Sequence, residues 1–193
     1  MARIERDSLL SLEAYARERN AFRARVIEHK RRRNVALGGH VTLQFEDELT
    51  IRYQIQEMLR IERTFEEAGI QDELDAYNPL IPDGSNLKAT MMIEYPDVAE
   101  RQRNLARLRG IEDRVWLQVD GFDRVLAVAD EDLERENESK TSAVHFLRFE
   151  LAPDMRRALR EGAALAVGID HPQYQAQGVA APDVRAALAV DLA

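Results

Sequence analysis

The chain of 193 residues has no cysteine, one tryptophan and only 6% aromatic residues. The absence of cysteine excludes disulfide bonds, thiolate catalysis, cysteine-ligated zinc and an iron–sulfur cluster held by this chain alone. A membrane-spanning helix needs a run of about eighteen apolar residues, and no apolar run in the chain is close to that length. The first twenty residues have charges where a secretory signal peptide needs an apolar stretch. We therefore expect a cytoplasmic protein without membrane association.

Apolar residues make up 45% of the chain and charged residues 32%, which indicates a folded globular protein. The charge is unevenly distributed, because residues 1–33 hold ten basic and five acidic residues within a chain of net charge −8. The basic run at 30–33 ends a predicted helix, where cations suit the helix dipole. No aromatic residues are interleaved with this run, so nucleic-acid binding is not favoured. Self-association of a basic arm with an acidic body, as in a homo-oligomer, agrees better with the charges.

The hydrophobic periodicity predicts about seven strands and six helices in mixed order. Two hairpins are indicated, one turning at Gly38-Gly39 and one at Asp120-Gly121. They favour an α+β fold with a mixed, largely antiparallel sheet and helices packed on it. No predicted strand is followed by a Gly-rich phosphate loop, which argues against a doubly wound nucleotide-binding fold. We expect a single domain over 1–193 with an N-terminal helical arm of about 1–33.

A helix predicted over about 47–67 has an unusual apolar face. At 100° per residue, Glu62 and Gln54 fall among the apolar side chains of this helix. A buried carboxylate needs a cation, a metal ion or a proton, so Glu62 becomes a candidate site residue. A buried ion pair, for example with Arg19, is the structural alternative. The apolar residues concerned are Ile51, Ile55, Met58, Leu59, Ile61 and Phe65.

The other face of this helix is polar, and a proline-stiffened loop at 78–86 follows a second short helix. Local ion pairs on a solvated surface explain most of that face. The functional alternative is a surface that binds an anion or a substrate, with arginines as fork-shaped donors. The candidate binding residues are Arg52, Tyr53, Glu57 and Arg60 on this face, Glu62 on the apolar face, and Tyr77 and Asn78 beside the loop.

The four histidines do not form a spaced ligand motif, so the ferritin-like di-iron and zincin signatures are absent. A divalent metal could still be held by dispersed histidines and carboxylates. His145 lies on a predicted core face, where a hydrogen-bonded structural histidine is the alternative. The acidic stretch 130–138 lacks the calcium-loop pattern and is typical of a solvated, mobile segment. The candidate metal ligands are His40, Glu46, Glu62, His145 and His171.

Four long runs, among them HVTLQFEDELTIRYQIQEMLRIERTFE and DLERENESKTSAVHFLRFEL, resemble an uncharacterised bacterial family, domain of unknown function number 3501. The resemblance covers nearly the whole chain and implies a stand-alone bacterial cytoplasmic protein. It implies no catalytic residue. Because members of such a family tend to be encoded near rubrerythrin-like and iron–sulfur oxidoreductase proteins, the resemblance also implies a link to oxidative-stress or iron–sulfur redox systems.

Three functions agree with the sequence. The first is an accessory or binding protein for a metal, a small anion or a redox-protein partner. The second is a small enzyme that uses a Glu/His site on the 46–65 helix. The third is a structural homo-oligomer. The sequence does not decide among them, or whether the protein is an enzyme.

Overall fold

The computed structural model describes residues 3–132, 135 and 140–193. Six α-helices lie in these residues: α1 (Leu12–Lys30), α2 (Glu48–Glu62), α3 (Glu67–Tyr77), α4 (Val98–Arg107), α5 (Pro153–Glu161) and α6 (Pro182–Ala189). The described strands are β1 (Asn34–Leu37), β2 (Val41–Phe45), β3 (Asn86–Ile93), β4 (Val115–Val119), β5 (Val125–Leu126), β6 (Val128–Ala129), β7 (Val144–Glu150), β8 (Leu165–His171) and β9 (Tyr174–Val179).

The strands form two sheets, in the orders β1-β2-β3-β7-β6 and β5-β4-β8-β9, and every pairing between described strands is antiparallel. Alternate residues of each inner strand point into one apolar core that both sheets share, as the period of two requires. Leu43, Met91, Leu117, Phe149 and Val167 belong to this core and are fully buried. The helices α4, α5 and α6 add leucines and valines to the same core.

The helices α1, α2 and α3 form a separate layer with its own apolar cluster. Ile51, Ile55 and Leu59 of α2 pack with Ile70 and Leu74 of α3. The segment before α1 adds Ile4 and Leu9 to this cluster. The N-terminal segment is therefore packed on its own chain.

The α+β fold class and the largely antiparallel pairing predicted from the sequence are confirmed. The structure has two sheets where the sequence suggested one, and it adds β9, which the sequence did not reveal. The N-terminal hairpin is confirmed, with Gly38 in the left-handed region at φ 70°. Among the described residues, no helix is both long enough and apolar enough to cross a bilayer.

Candidate functional site

Glu46 lies at the junction between β2 and α2. Asp47, the next residue, caps α2 by accepting from the Thr50 backbone N–H at 3.0 Å, and Thr50 returns a bond to the Asp47 backbone. Glu46 precedes this cap, so the reciprocal capping box fixes the direction of its side chain. The Glu46 side chain is directed to the outer face of the first sheet, away from the shared core. It is only 8% exposed.

The Glu46 carboxylate accepts one hydrogen bond on each oxygen. Thr50 donates from α2 to Oε2 at 2.5 Å, and Thr90 donates from β3 to Oε1 at 2.6 Å. Neither donor is charged, and within the described part of the chain Glu46 forms no salt bridge. Hydroxyl donors bond a carboxylate without neutralising it, so this side chain is suited to face a cation.

Glu46 lines a cavity of about 250 Å³ between the helical layer and the outer face of the first sheet. We call this cavity the Glu46 pocket. The sheet register builds its floor, since Gln44 pairs with Thr90, and Thr90 pairs with Phe146 on the next strand. Met92 and Val144 are paired in the neighbouring row. The remaining lining residues are Lys30, Thr50, Ile51, Gln54, Tyr77 and Leu80.

A buried arginine supports the segment that bears Glu46. Arg33 is only 2% exposed and donates to the backbone carbonyls of Phe45 and Glu46 at 3.0 and 3.1 Å. Its Nη1 lies 3.4 Å from the Asp47 carboxylate, and its Nη2 forms a salt bridge with Asp191 near the C-terminus. This Arg33 cluster therefore joins β2, the start of α2 and the end of the chain.

The two carboxylates of the Arg33 cluster have opposite pKa shifts. Burial raises the pKa of Asp191 to about 6, although Arg33 opposes the shift. Burial acts in the same direction on Asp47, but there Arg33, the capping bond from Thr50 and the contact with His29 hold the pKa below its ordinary value. Asp47 consequently remains ionised at neutral pH and serves as a permanent cap for α2.

The predicted burial of Glu62 on the apolar face of α2 is wrong. The helix ends at Glu62, because Arg63 adopts the left-handed conformation at φ 55° and caps it. The last turn extends beyond the apolar cluster, so Glu62 is exposed, Ile61 is 62% exposed and Phe65 is 73% exposed. The angular positions calculated from the sequence included residues that lie beyond the last buried turn of the helix.

The partly buried carboxylate of α2 is instead that of Glu57. It accepts from the Tyr15 hydroxyl at 2.7 Å and from Nε and Nη2 of Arg19 at 2.7 and 2.8 Å. The hydrogen bonds from Arg19 lower the pKa of Glu57 to about 2, although burial opposes them. Arg19 thus has the ion-pair role that the sequence suggested, but with Glu57 in place of Glu62.

Replacing Glu57 by glutamine should lower the free energy of unfolding by about 2 kcal/mol at pH 7, because hydrogen bonds to a charged group are lost. The folded-state pKa lies below the unfolded value, so this stabilisation is complete above about pH 4.5 and declines as pH falls towards 2. The difference between wild type and variant should therefore shrink by about half between pH 7 and pH 3.

Urea denaturation followed by circular dichroism at the two pH values measures this difference. Glu18→Gln, at an exposed position of α1, is the control and should change stability by less than about 0.5 kcal/mol. A difference that is independent of pH would contradict the assigned ionisation.

The other predicted binding residues of α2 face the N-terminal segment. Arg52 donates to the Ser8 carbonyl and pairs with Glu48, while the ring of Tyr53 lies 6.0 Å from that of Phe22 in α1. Arg60 reaches Glu57 at 3.4 Å. The structure therefore places this face against α1 and not against the loop 78–86.

The two candidates beside that loop have different surroundings. Tyr77 lines the Glu46 pocket. The side chain of Asn78 bonds the backbone N–H and carbonyl of Ile4, at 2.9 and 3.0 Å, and so attaches the N-terminal segment to α3. Of the predicted binding residues, Tyr77 is the one that lines the same pocket as Glu46, a residue predicted above as a metal ligand.

The predicted metal candidates do not converge. His40 stacks on Tyr95 at 4.0 Å between ring centroids, and His171 bonds the Arg109 carbonyl at 3.0 Å. Glu62 is exposed, and among the residues that the structure describes the Glu46 side chain bonds only threonine hydroxyls. Within the described residues, the group that could hold a metal ion combines His145 with Glu112 and Asp130.

Several functional residues were not predicted from the sequence. Gln44, Thr50 and Thr90 line the pocket, and the polar alternation of β2 at Thr42, Gln44 and Glu46 was a usable signal for its floor. Asp130 is largely buried beside His145, although it begins an acidic stretch that was predicted to be solvated. Residues 133–134 and 136–139 of that stretch lie outside the described residues.

The fold and the site define an α+β protein that has a pocket between a helical layer and an antiparallel sheet. A buried carboxylate lines this pocket. The chain belongs to the family described as protein of unknown function DUF3501, whose model matches residues 3–192. It is also similar to a crystal structure of a novel protein of unknown function from Burkholderia pseudomallei K96243. The two share 60% identity over 100% of both chains, with a TM-score of 0.95. No curated protein matches the chain.

Proposed function

We propose that the protein binds a small organic cation, an amine with an apolar body, in the Glu46 pocket. The observation that supports this proposal is the buried carboxylate of Glu46, which is held by two neutral hydroxyls and forms no salt bridge with a described residue. An ammonium group placed beside it would neutralise the charge and make charge-assisted hydrogen bonds.

The walls of the pocket favour a ligand with an apolar body. The sheet contributes Met92, Val144 and Phe146 beside the polar residues, and the helical layer contributes Ile51 and Leu80. This combination of apolar walls and a few fixed polar groups is typical of small-molecule sites. A volume of about 250 Å³ lies below the roughly 300–1,000 Å³ of pockets for drug-sized ligands, so the ligand must be small.

The structure gives less support to an enzyme that uses the 46–65 helix. Glu57, whose pKa is about 2, is too weak a base for proton abstraction near neutral pH. The histidine that contacts the start of this helix is His29. Its Nε2 lies 2.5 Å from Oδ2 of the helix cap Asp47, outside the pocket. The link to oxidative-stress or iron–sulfur redox systems depends on the family resemblance alone.

Isothermal titration calorimetry with 2-phenylethylammonium tests the proposal. Wild-type protein should bind this probe, and Glu46→Gln should weaken binding by about tenfold or more, since a charge-assisted hydrogen bond is lost. Glutamine preserves the size of the side chain, so the pocket keeps its shape. The anion 3-phenylpropionate has a similar apolar body and should bind at least tenfold more weakly than the amine.

Glu48→Gln is the matched control. Glu48 lies two residues from Glu46, but its carboxylate pairs with Arg52 outside the pocket. This variant should bind the amine as wild type does. Equal affinity of wild type and Glu46→Gln, or tighter binding of the anion, would refute a cation site.

A further inference from the structure

The Glu46 pocket is lined by a second charged side chain, that of Lys30. Lys30 is the last residue of α1 and lines the pocket from the helical layer. It is partly buried, as is usual for a lysine whose aliphatic stem lies against the protein and whose ammonium group stays accessible. The pocket is therefore lined by one negatively charged and one positively charged group.

Lys30 differs from its neighbours Arg31 and Arg33 in the basic run, because they have charged partners. Arg31 pairs with Glu28 at 2.7 Å, and the buried Arg33 forms a salt bridge with Asp191. The side chain of Lys30 forms no hydrogen bond and no ion pair with a residue that the structure describes. The positive charge beside the pocket is thus available to a ligand.

Glu46 and Lys30 do not neutralise each other. Both line the same cavity, but the Glu46 carboxylate bonds the hydroxyls of Thr50 and Thr90 and forms no salt bridge with Lys30. A ligand that enters the cavity removes water from both charged groups, and each group then needs an opposite charge to offset the lost hydration. The ligand that is complementary to both groups carries one charge of each sign.

We propose that the ligand of the Glu46 pocket is a zwitterion, namely a free amino acid with an apolar side chain. This inference rests on the amine site proposed above and adds a carboxylate to the ligand. The ammonium group of the amino acid bonds Glu46, and its carboxylate pairs with Lys30. Its side chain packs against the apolar walls. The flexible four-carbon stem of lysine lets the Lys30 ammonium group reach the carboxylate without a fixed geometry.

The other polar residues and the size of the pocket agree with such a ligand. The Gln54 amide and the Tyr77 hydroxyl form no hydrogen bond with a described residue, and both can donate to a carboxylate. The cavity of about 250 Å³ corresponds to about eight water molecules at roughly 30 Å³ each. This is the scale of a single amino acid and is too small for a peptide.

Isothermal titration calorimetry with two probes that differ by one carboxylate tests the inference. L-Phenylalanine has the amine and the ring of 2-phenylethylammonium and a carboxylate in addition. Wild type should bind L-phenylalanine about fivefold more tightly than the amine, which is the upper end for a partly exposed ion pair. Lys30→Met should remove this difference and change the affinity for the amine by less than about twofold, because the amine has no group that pairs with Lys30.

Arg32→Met is the matched control. Arg32 is exposed, lies two residues from Lys30 and does not line the pocket, so this variant loses the same charge outside the site. It should keep the preference for L-phenylalanine over the amine. Lys30→Gln also removes the charge and should give the same result as Lys30→Met, so the test remains decisive if the methionine variant does not fold.

The outcomes separate this inference from the proposed amine site. If wild type binds the amine but does not prefer L-phenylalanine, or if Lys30→Met keeps the preference, the amino-acid inference is overturned and the amine site stands. Binding of neither probe to wild type would overturn both. If Lys30→Met binds the amine about fivefold or more tightly than wild type does, Lys30 competes with the ligand for Glu46, and the inference is again overturned.

Discussion

Arg33→Met should lower the free energy of unfolding by about 3–5 kcal/mol at pH 7, the usual cost of removing one partner from a buried charge pair. The arginine is almost fully buried and bonds the backbone of Phe45 and Glu46. In the variant, the carboxylates of Asp47 and Asp191 stay largely buried but have lost this cation, and two backbone carbonyls lose a hydrogen-bond donor. Because methionine fills much of the volume of the arginine side chain, the loss of stability measures the missing charge and hydrogen bonds.

Urea denaturation followed by circular dichroism measures this loss. Arg32→Met is the matched control, because Arg32 is the adjacent arginine and is exposed; its effect should stay below about 0.5 kcal/mol. Adding Asp191→Asn to Arg33→Met should recover part of the stability, since it removes one of the unpaired buried charges. A loss below about 1 kcal/mol for Arg33→Met would show that the cluster does not stabilise the fold.

Gly168→Ala should also be strongly destabilising, by about 3 kcal/mol, at the upper end of the usual cost of overpacking. Gly168 of β8 pairs with Trp116 of β4, and the buried indole covers it. A Cβ at this position would lie 2.2 Å from one indole carbon and 3.0 Å from the Ala176 carbonyl. The indole has little room to move, because Trp116 is only 2% exposed and Arg124 stacks on its ring at 3.7 Å.

Thermal and urea unfolding of Gly168→Ala should therefore show a clear loss relative to Gly178→Ala. Gly178 lies on the adjacent strand β9, and a Cβ there would meet no atom within 4 Å. In a Trp116→Leu background the same Gly168→Ala change should cost less, since the smaller side chain leaves room. Equal costs in the two backgrounds would exclude the indole as the cause.

Local patterns in the sequence were sufficient to predict much of the fold. Residues Val35 to Phe45 alternate around Gly38-Gly39, and this hairpin forms, with Val35 opposite Leu43 and Leu37 opposite Val41. Strand β9 was missed because its alternate exposed positions, such as Gln175 and Gln177, and its glycine resemble a loop. Nothing in the local sequence indicates that its partner is β8.

The candidate site could be predicted only in part, because burial of its polar residues depends on distant segments. Glu46 and Tyr77 were named, but a polar strand face appears solvated until a helical layer is placed over it. Arg33 was part of a basic run, and its burial depends on segments far along the chain, among them the one that bears Asp191. Glu62 was misplaced because Arg63, a residue without obvious helix-ending character, caps α2.

The proposed cation site is tested most directly by a crystal structure of the protein with 2-phenylethylammonium bound. The ammonium nitrogen should lie about 2.7–2.9 Å from a carboxylate oxygen of Glu46. Its ring should contact Phe146 and Met92. Crystals of Glu46→Gln soaked in the same way should show a clearly lower occupancy of the amine in the pocket. An amine bound elsewhere on wild type, or an unoccupied Glu46 pocket at saturating amine, would contradict the account.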